Sequence, residues 1–176
     1  VYDYTYSVVE SLCMPQLIIK QTTISQSGVY CLANNISGNI NITANTNNVV
    51  LDLNGHTISS GINGVVVAQN RGVTIKNGTI MPQSGNAISA TSNTNLKIID
   101  VITDGTLGAS RGVDLNGCTN VFMQNVAAEN HSTSGYRITS CAGLIASACT
   151  ASCNGERGFD IVSSSTNCFM QCKALA

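Results

Sequence analysis

Tryptophan is absent from this chain of 176 residues, and three of its five tyrosines (Tyr2, Tyr4 and Tyr6) crowd the first six positions. The body therefore offers few rings on which bases or sugars could stack. Charge is scarce too: 8 Lys and Arg stand against 9 Asp and Glu, 10% of the chain in all. Neither nucleic acid nor an anionic membrane has an electrostatic attractor in such a balance. No apolar run approaches the ~20 residues that span a bilayer. Val1 opens the sequence without a basic, apolar leader, so a mature or excised form is the expectation.

What is present is Asn, Ser and Thr in abundance, with 43% hydrophobic residues tending to alternate with polar ones. That is a β-rich composition rather than a disordered one, in a length that suits one domain.

Internal repeats decide the architecture. The segments "VVLDLNGHTI", "GVTIKNGTI", "NLKIIDVI", "NVFMQNVAA", "GLIASACTA" and "NCFMQCKAL" align. Their first apolar residues, taken as Leu51, Val73, Leu96, Val121, Leu144 and Cys168, fall 22 to 25 residues apart. A second ladder, Ile40, Val65, Ile88, Val113, Tyr136 and Phe159, has steps of 23 to 25. Within each segment apolar residues sit two apart, which is β alternation with one buried face. Glycines precede many of these strands (Gly28, Gly64, Gly112, Gly135, Gly158), where sharp corners with positive φ are expected. A period of about 23 residues holding short strands predicts an all-β solenoid, a single-stranded parallel β-helix of about six coils. Residues 25–176 form the helix, and residues 1–24 an N-terminal extended arm or cap.

The segments "SGVYCLANNISGNINI", "VVLDLNGHTI" and "GVTIKNGTI" resemble the entry coils of right-handed parallel β-helix proteins of the pectin-lyase-like superfamily. The resemblance implies the fold and its hand. It does not choose a function, since that superfamily includes polysaccharide lyases and hydrolases, adhesins, viral spikes and structural proteins. Related polygalacturonases carry Asn-Thr-Asp, Asp-Asp, Gly-His-Gly and Arg-Ile-Lys motifs on successive coils. Here only "RIT" (Arg137 to Thr139) and "GHT" (Gly55 to Thr57) echo them, and the Asp-Asp pair is missing. The lyases' acidic calcium cluster is not matched either, because Asp100, Asp104, Glu129, Glu156 and Arg157 are scattered. No catalytic residue, metal or cofactor is therefore assigned.

In register, the position after each second-ladder residue forms an outward column: Asn41, Val66, Ser89, Asp114, Arg137 and Asp160. Its last three members are the catalytic candidates. The acids are two strand spacings, ~9.6 Å, apart, near the upper end of the carboxylate separation in inverting glycosidases. Arg137 between them would hold both ionised, which favours a surface ion-pair ladder. In "VVLDLNGHTI", Asp52 is expected outward and His56 at the turn, without a dyad. His131, in the loop "AENHSTSG", is expected to be solvated.

A corner column, Asn70, Asn93, Cys118, Cys141 and Ser164, is expected to hydrogen-bond along the axis. Eight cysteines without a tight CxxC pair suggest disulfides in an oxidising compartment. Cys118–Cys141 and Cys149–Cys172 would lie on adjacent coils, Cys13–Cys31 would staple the arm, and Cys153–Cys168 is the remaining pair. The alternative is zinc on Cys149, Cys153, Cys168 and Cys172, but four-residue spacing on strands scatters thiolates. Four sequons, at Asn35, Asn41, Asn77 and Asn130, are glycosylation candidates in a eukaryotic or viral source.

The outward column of the first ladder reads Asp52, Thr74, Lys97, Phe122, Ile145 and Phe169. Its apolar end and the Tyr2, Tyr4, Tyr6 arm are interface candidates. Together they suggest a secreted or cell-surface structural protein that self-assembles through its coil ends, without catalysis. The alternative is a β-helix that binds or degrades polysaccharide on the face of Asp114, Arg137 and Asp160. Partners are then other copies or glycans, with no nucleic acid and no membrane span.

Overall fold

The computed structural model describes residues 15–175, and these form a right-handed parallel β-solenoid. A partial coil of β1 (Gln16–Ile18) and β2 (Thr22–Ile24) leads to β3 (Gly28–Leu32), β4 (Ile36–Ser37) and β5 (Ile40–Ile42). The next coil holds β6 (Val49–Asp52), β7 (Thr57–Ser60) and β8 (Val65–Ala68). Three coils of two longer strands follow: β9 (Thr74–Pro82) with β10 (Asn86–Thr91), β11 (Lys97–Asp104) with β12 (Arg111–Asn116), and β13 (Phe122–Glu129) with β14 (Ser134–Thr139). The last strands are β15 (Ile145–Ser147), β16 (Thr150–Ser152), β17 (Arg157–Val162), β18 (Cys168–Met170) and β19 (Lys173–Leu175). Among the described residues there is no helix. Every coil pairs in parallel with the next, giving a 12-stranded sheet and a 7-stranded sheet.

The larger sheet folds along its length, so each coil has three faces. The crease runs through Asn77, Asp100 and Asn125, with φ of 60°, 54° and 51°, and continues through Ala148 and Gln171 at 51° and 53°. Asn and Asp tolerate this left-handed conformation better than other side chains with a Cβ. The richness in Asn and Ser is thus largely corner chemistry, as Asn48, Asn95, Asn120, Ser92 and Ser140 also have positive φ.

The expected corner glycines have a different job. Gly64, Gly112, Gly135 and Gly158 are not in the left-handed region. They lie where coils approach closely: a Cβ on Gly112 would come within 2.5 Å of Gly135 O and of Thr103 Oγ1.

The second ladder stacks as predicted, Ile40, Val65, Ile88, Val113, Tyr136 and Phe159 being register partners in turn. The first ladder is corrected at both ends. Leu51 pairs with Ile75, not Val73, a slip of two residues that strand alternation cannot detect because both registers bury the same face. Cys168 pairs with Ile145 and Phe169 with Ala146. Phe169 therefore faces inward, meeting Phe159 edge-on at 5.6 Å. Asn167 occupies the place that Val121 and Leu144 fill on earlier coils, which displaced the alignment by one.

The core is one continuous stack. Leu51, Ile75, Ile98, Met123 and Ala146 are wholly buried on one face, and Ile40, Val65, Ile88 and Val113 on another. Each large side chain so buried contributes about 1.5–3 kcal/mol. Tyr136 lies among them with its ring stacked on Phe159 at 4.6 Å. Its hydroxyl donates to Val126 O at 2.6 Å and lies 3.1 Å from Thr150 O. Burial pushes its ionisation far above the ordinary tyrosine value.

Candidate functional site

The outward column of the 7-stranded sheet is placed as expected. Asn41, Val66, Ser89, Asp114, Arg137 and Asp160 are register partners on six successive strands. The pairing within it is not the expected one. Arg137 forms no ion pair with either acid; its Nε donates to Thr139 Oγ1 at 3.4 Å. Asp114 is held instead by Arg111 of its own strand, with Nη1 3.8 Å from Oδ2, and accepts a hydrogen bond from Asn86 Nδ2 at 2.9 Å. Asp160 is held by Arg157 in the same way.

Arg111 and Asp114 share a face because Gly112 and Val113, between them, are both buried. Strict alternation would put residues three apart on opposite faces. Here two inward residues in a row at the start of the strand bring both ends of the Arg-Gly-apolar-Asp segment outward. The segment recurs as Arg157-Gly158-Phe159-Asp160, two coils later, while the coil between them carries Ser134-Gly135-Tyr136-Arg137. The result is an Arg–Asp pair, a cation without an acid partner among the described residues, and a second Arg–Asp pair, on successive strands. Arg111 was not picked out from sequence, and Arg157 was named only among scattered residues, not as a partner of Asp160; the repeated "RGVD" and "RGFD" were the signal.

Asp52 bonds to the next coil. Lys76 Nζ lies 3.0 Å from Oδ2, while Asn54 N and Asn77 Nδ2 donate to Oδ1 at 2.8 and 3.2 Å. Burial pushes its carboxyl up, but these partners hold it below the usual value. His56 does not join it: its backbone closes the turn, N–H donating to Leu53 O at 2.8 Å.

His131 is not solvated. It is 1% exposed and lies against the loop that joins β11 to β12. Its Nε2 is 3.1 Å from Thr103 Oγ1 and 3.2 Å from Thr103 O, and its Nδ1 has no partner among the described residues. Burial holds its pKa below the ordinary histidine value. Nearby, Asp104 accepts bonds from Thr106 and from Asn130 Nδ2; burial pushes the carboxyl up, and these bonds bring it below the usual value.

The corner column forms the expected ladder and starts one coil earlier, at Thr46. Thr46 N donates to Asn70 Oδ1, Asn70 N to Asn93 Oδ1, Cys118 N to Cys141 Sγ and Cys141 N to Ser164 Oγ, at 2.7, 2.9, 3.4 and 3.0 Å. The cysteines act here as hydrogen-bonding side chains. The seven described cysteines are all free thiols, so the pairs Cys118–Cys141, Cys149–Cys172 and Cys153–Cys168 are not formed. Cys118 directs its Sγ at Ala90 O, and Cys172 at Ala146 O, both at 3.5 Å. The Cys141 S–H favours a Cys118 thiolate, and Cys141 is itself raised. Cys153 lies in the turn after β16, whereas Cys168 is the first residue of strand β18, paired with Ile145. Cys13 falls outside the described residues, so Cys13–Cys31 does too. Among the described residues no group of three or more His, Cys, Asp or Glu is placed to hold a metal ion, the four C-terminal cysteines included.

The apolar row is shorter than expected. Phe122 and Ile145 are outward neighbours, Cys168 follows them, and Phe169 is not a member. Tyr2, Tyr4 and Tyr6 lie outside the described residues. Of the sequons, Asn35 and Asn130 are exposed, Asn41 is half-buried, and Asn77 sits in the crease with its amide on Asp52.

The sequence model described as "Right handed beta helix region" matches residues 38–174. Among solved structures, the fold resembles that of a protein described as "a putative glycosyl hydrolase" from Parabacteroides merdae ATCC 43184. The TM-score is 0.59 at 15% identity, over 88% of this chain and 83% of the other. Among the curated proteins nothing matches.

Proposed function

We propose, for a chain that belongs to the right-handed β-helix family, that the outer face of the 7-stranded sheet binds polysaccharide. The observation that carries this reading is the axial series of Arg111–Asp114, Arg137 and Arg157–Asp160, presented on three successive rungs of a rigid sheet. Each ion pair offers both donors and acceptors to sugar hydroxyls without a net charge, and Arg137 adds a planar, always-charged donor suited to a carboxylate or sulfate. Parallel strand pairing fixes the spacing at ~4.8 Å per rung, so the side chains need little rearrangement to meet an extended chain. The hydrolase-described neighbour shares the fold and supports the carbohydrate class only by analogy. A protein of this kind works outside the cell or at its surface.

The reading favours binding over cleavage. A glycosidase needs one protonated carboxylic acid beside one ionised partner, and here each acid has its own arginine. Affinity electrophoresis through gels containing polygalacturonate, other acidic glycans or neutral glycans tests it. Retardation by an acidic glycan is expected, weakened about tenfold by Arg137→Ala, the effect of losing one charged hydrogen bond, and reduced by salt. Retardation by none of them overturns the reading. Release of reducing ends that Asp114→Asn or Asp160→Asn abolishes would replace binding with hydrolysis.

A further inference from the structure

Among the described residues two pairs of thiols are stacked one coil above the other, and they differ in access. Cys118 and Cys141 are both buried. Cys149 and Cys172 sit in the short turns that join β15 to β16 and β18 to β19. Cys149 is wholly buried, whereas Cys172 is half-exposed. This second pair therefore has one member that a solute can reach.

Strand pairing holds the two turns in step. Thr150 and Lys173, the residues that follow the cysteines, are register partners, as are Ser147 and Met170 just before the turns. Lys173 N donates to Cys149 O and Ala148 N to Met170 O, both at 2.9 Å. Parallel neighbours lie ~4.8 Å apart, inside the roughly 4.4–6.8 Å between Cα atoms that a disulfide spans. The sulfurs converge as well. Cys149 directs its Sγ at Ser147 O and Cys172 at Ala146 O, both at 3.5 Å, so both thiols lie at the carbonyls of consecutive backbone residues. The two side chains also hydrogen-bond to each other, and burial above all pushes the Cys149 thiol up to about 11. Cys149 thus keeps its proton, and Cys172 is the member placed to attack.

We propose that Cys149 and Cys172 form a reversible dithiol, which a low-molecular-weight disulfide such as oxidised glutathione converts to a bridge between the coil of β15 and β16 and that of β18 and β19. The Cys172 thiolate attacks one sulfur of the small disulfide and breaks its S–S bond. One small thiolate leaves and takes up the proton that Cys172 released. Cys149 then attacks the Cys172 sulfur of the mixed disulfide, and the second small thiolate leaves with the Cys149 proton. Two protein thiols are oxidised and one small disulfide is reduced to two thiols, with no net change in protons. Both S–H groups give up their carbonyl acceptors in this step, so the reduced form keeps hydrogen bonds that the bridge lacks. That balance belongs to a labile disulfide rather than a permanent one. Neither cysteine touches the charged rungs, so the bridge is independent of the polysaccharide reading.

The test incubates the folded chain with excess oxidised glutathione, quenches with acid, alkylates the remaining thiols in denaturant and maps them by tandem mass spectrometry. Tryptic cleavage after Arg157 separates the two cysteines, so the bridge joins residues 138–157 to residues 158–173. A Cys149–Cys172 link that dithiothreitol reverses is expected. Cys149→Ser should stop at glutathione bound to Cys172. Cys172→Ser, at the half-exposed position, should fold and leave Cys149 unreacted. Amide exchange in β18 and β19 should slow at least about tenfold in the bridged protein, because those strands cannot then part freely from β15 and β16. The proposal is overturned if Cys172 stays alkylatable after the exposed Cys153 and Cys168 have reacted, or if it links to any cysteine other than Cys149. It is equally overturned if Cys172 halts at the mixed disulfide with Cys149 present, or if the bridge forms and exchange in β18 and β19 is unchanged.

Discussion

His131 shows how one side chain can set a pH limit on this molecule. The folded state buries it neutral with Nδ1 unpaired, and burial lowers its pKa, whereas in the unfolded chain it titrates near 6.5. Above about pH 6.5 neither state carries the proton and the buried ring exacts no pH-dependent penalty. Below it the unfolded chain binds a proton that the folded chain refuses, so stability falls as pH drops until the folded pKa is passed. The slope from this group approaches about 1.4 kcal/mol per pH unit at most. Urea unfolding between pH 7.5 and 5 should show the decline, and His131→Gln should flatten it. An unchanged slope in the variant would assign the effect elsewhere.

At the scale of elements, the crease of the larger sheet demands a left-handed residue on every coil. Asn77, Asp100 and Asn125 supply side chains that tolerate it, but Ala148 adopts φ 51° without that help. A left-handed alanine costs about 1–2 kcal/mol. Ala148→Asn or Ala148→Gly should therefore stabilise by about 1 kcal/mol, read as a raised urea midpoint with an unchanged m-value. A lowered midpoint would mean that the crease is not strained there.

What was legible in the sequence follows the same geometry. The second ladder was readable because each strand has one apolar register that also keeps its neighbours' spacing. In "VVLDL", where Val49, Leu51 and Leu53 all alternate, two registers bury the same face, and only backbone pairing decides. The acids Asp114 and Asp160 could be placed in a column by counting. Their arginine partners could not, because an Arg and an Asp three apart on one face break the alternation that counting relies on.

Across the whole molecule, protection should be graded. Strands β9, β11 and β13 are each flanked by a coil on both sides and carry wholly buried residues, whereas every residue of β19 is exposed. Because each coil is stabilised chiefly by its nearest neighbours, amide exchange measured by mass spectrometry should be slowest in β9–β13 and fastest in β18 and β19. Uniform protection from β3 to β19 would show instead that the stack opens as a single unit.

The regular offset between paired strands has one more consequence. Tyr136 meets Phe159 and Val113 meets Tyr136, each 23 residues away, and the other rungs differ little. Closing a loop of that length costs about 3 kcal/mol by the (3/2)RT ln n rule, and the figure is nearly the same at every rung. Contacts distant in space never require contacts distant in sequence, so the search for the native arrangement is local wherever it starts. A gene that duplicates one such unit lengthens the protein without raising the entropic barrier to any later step.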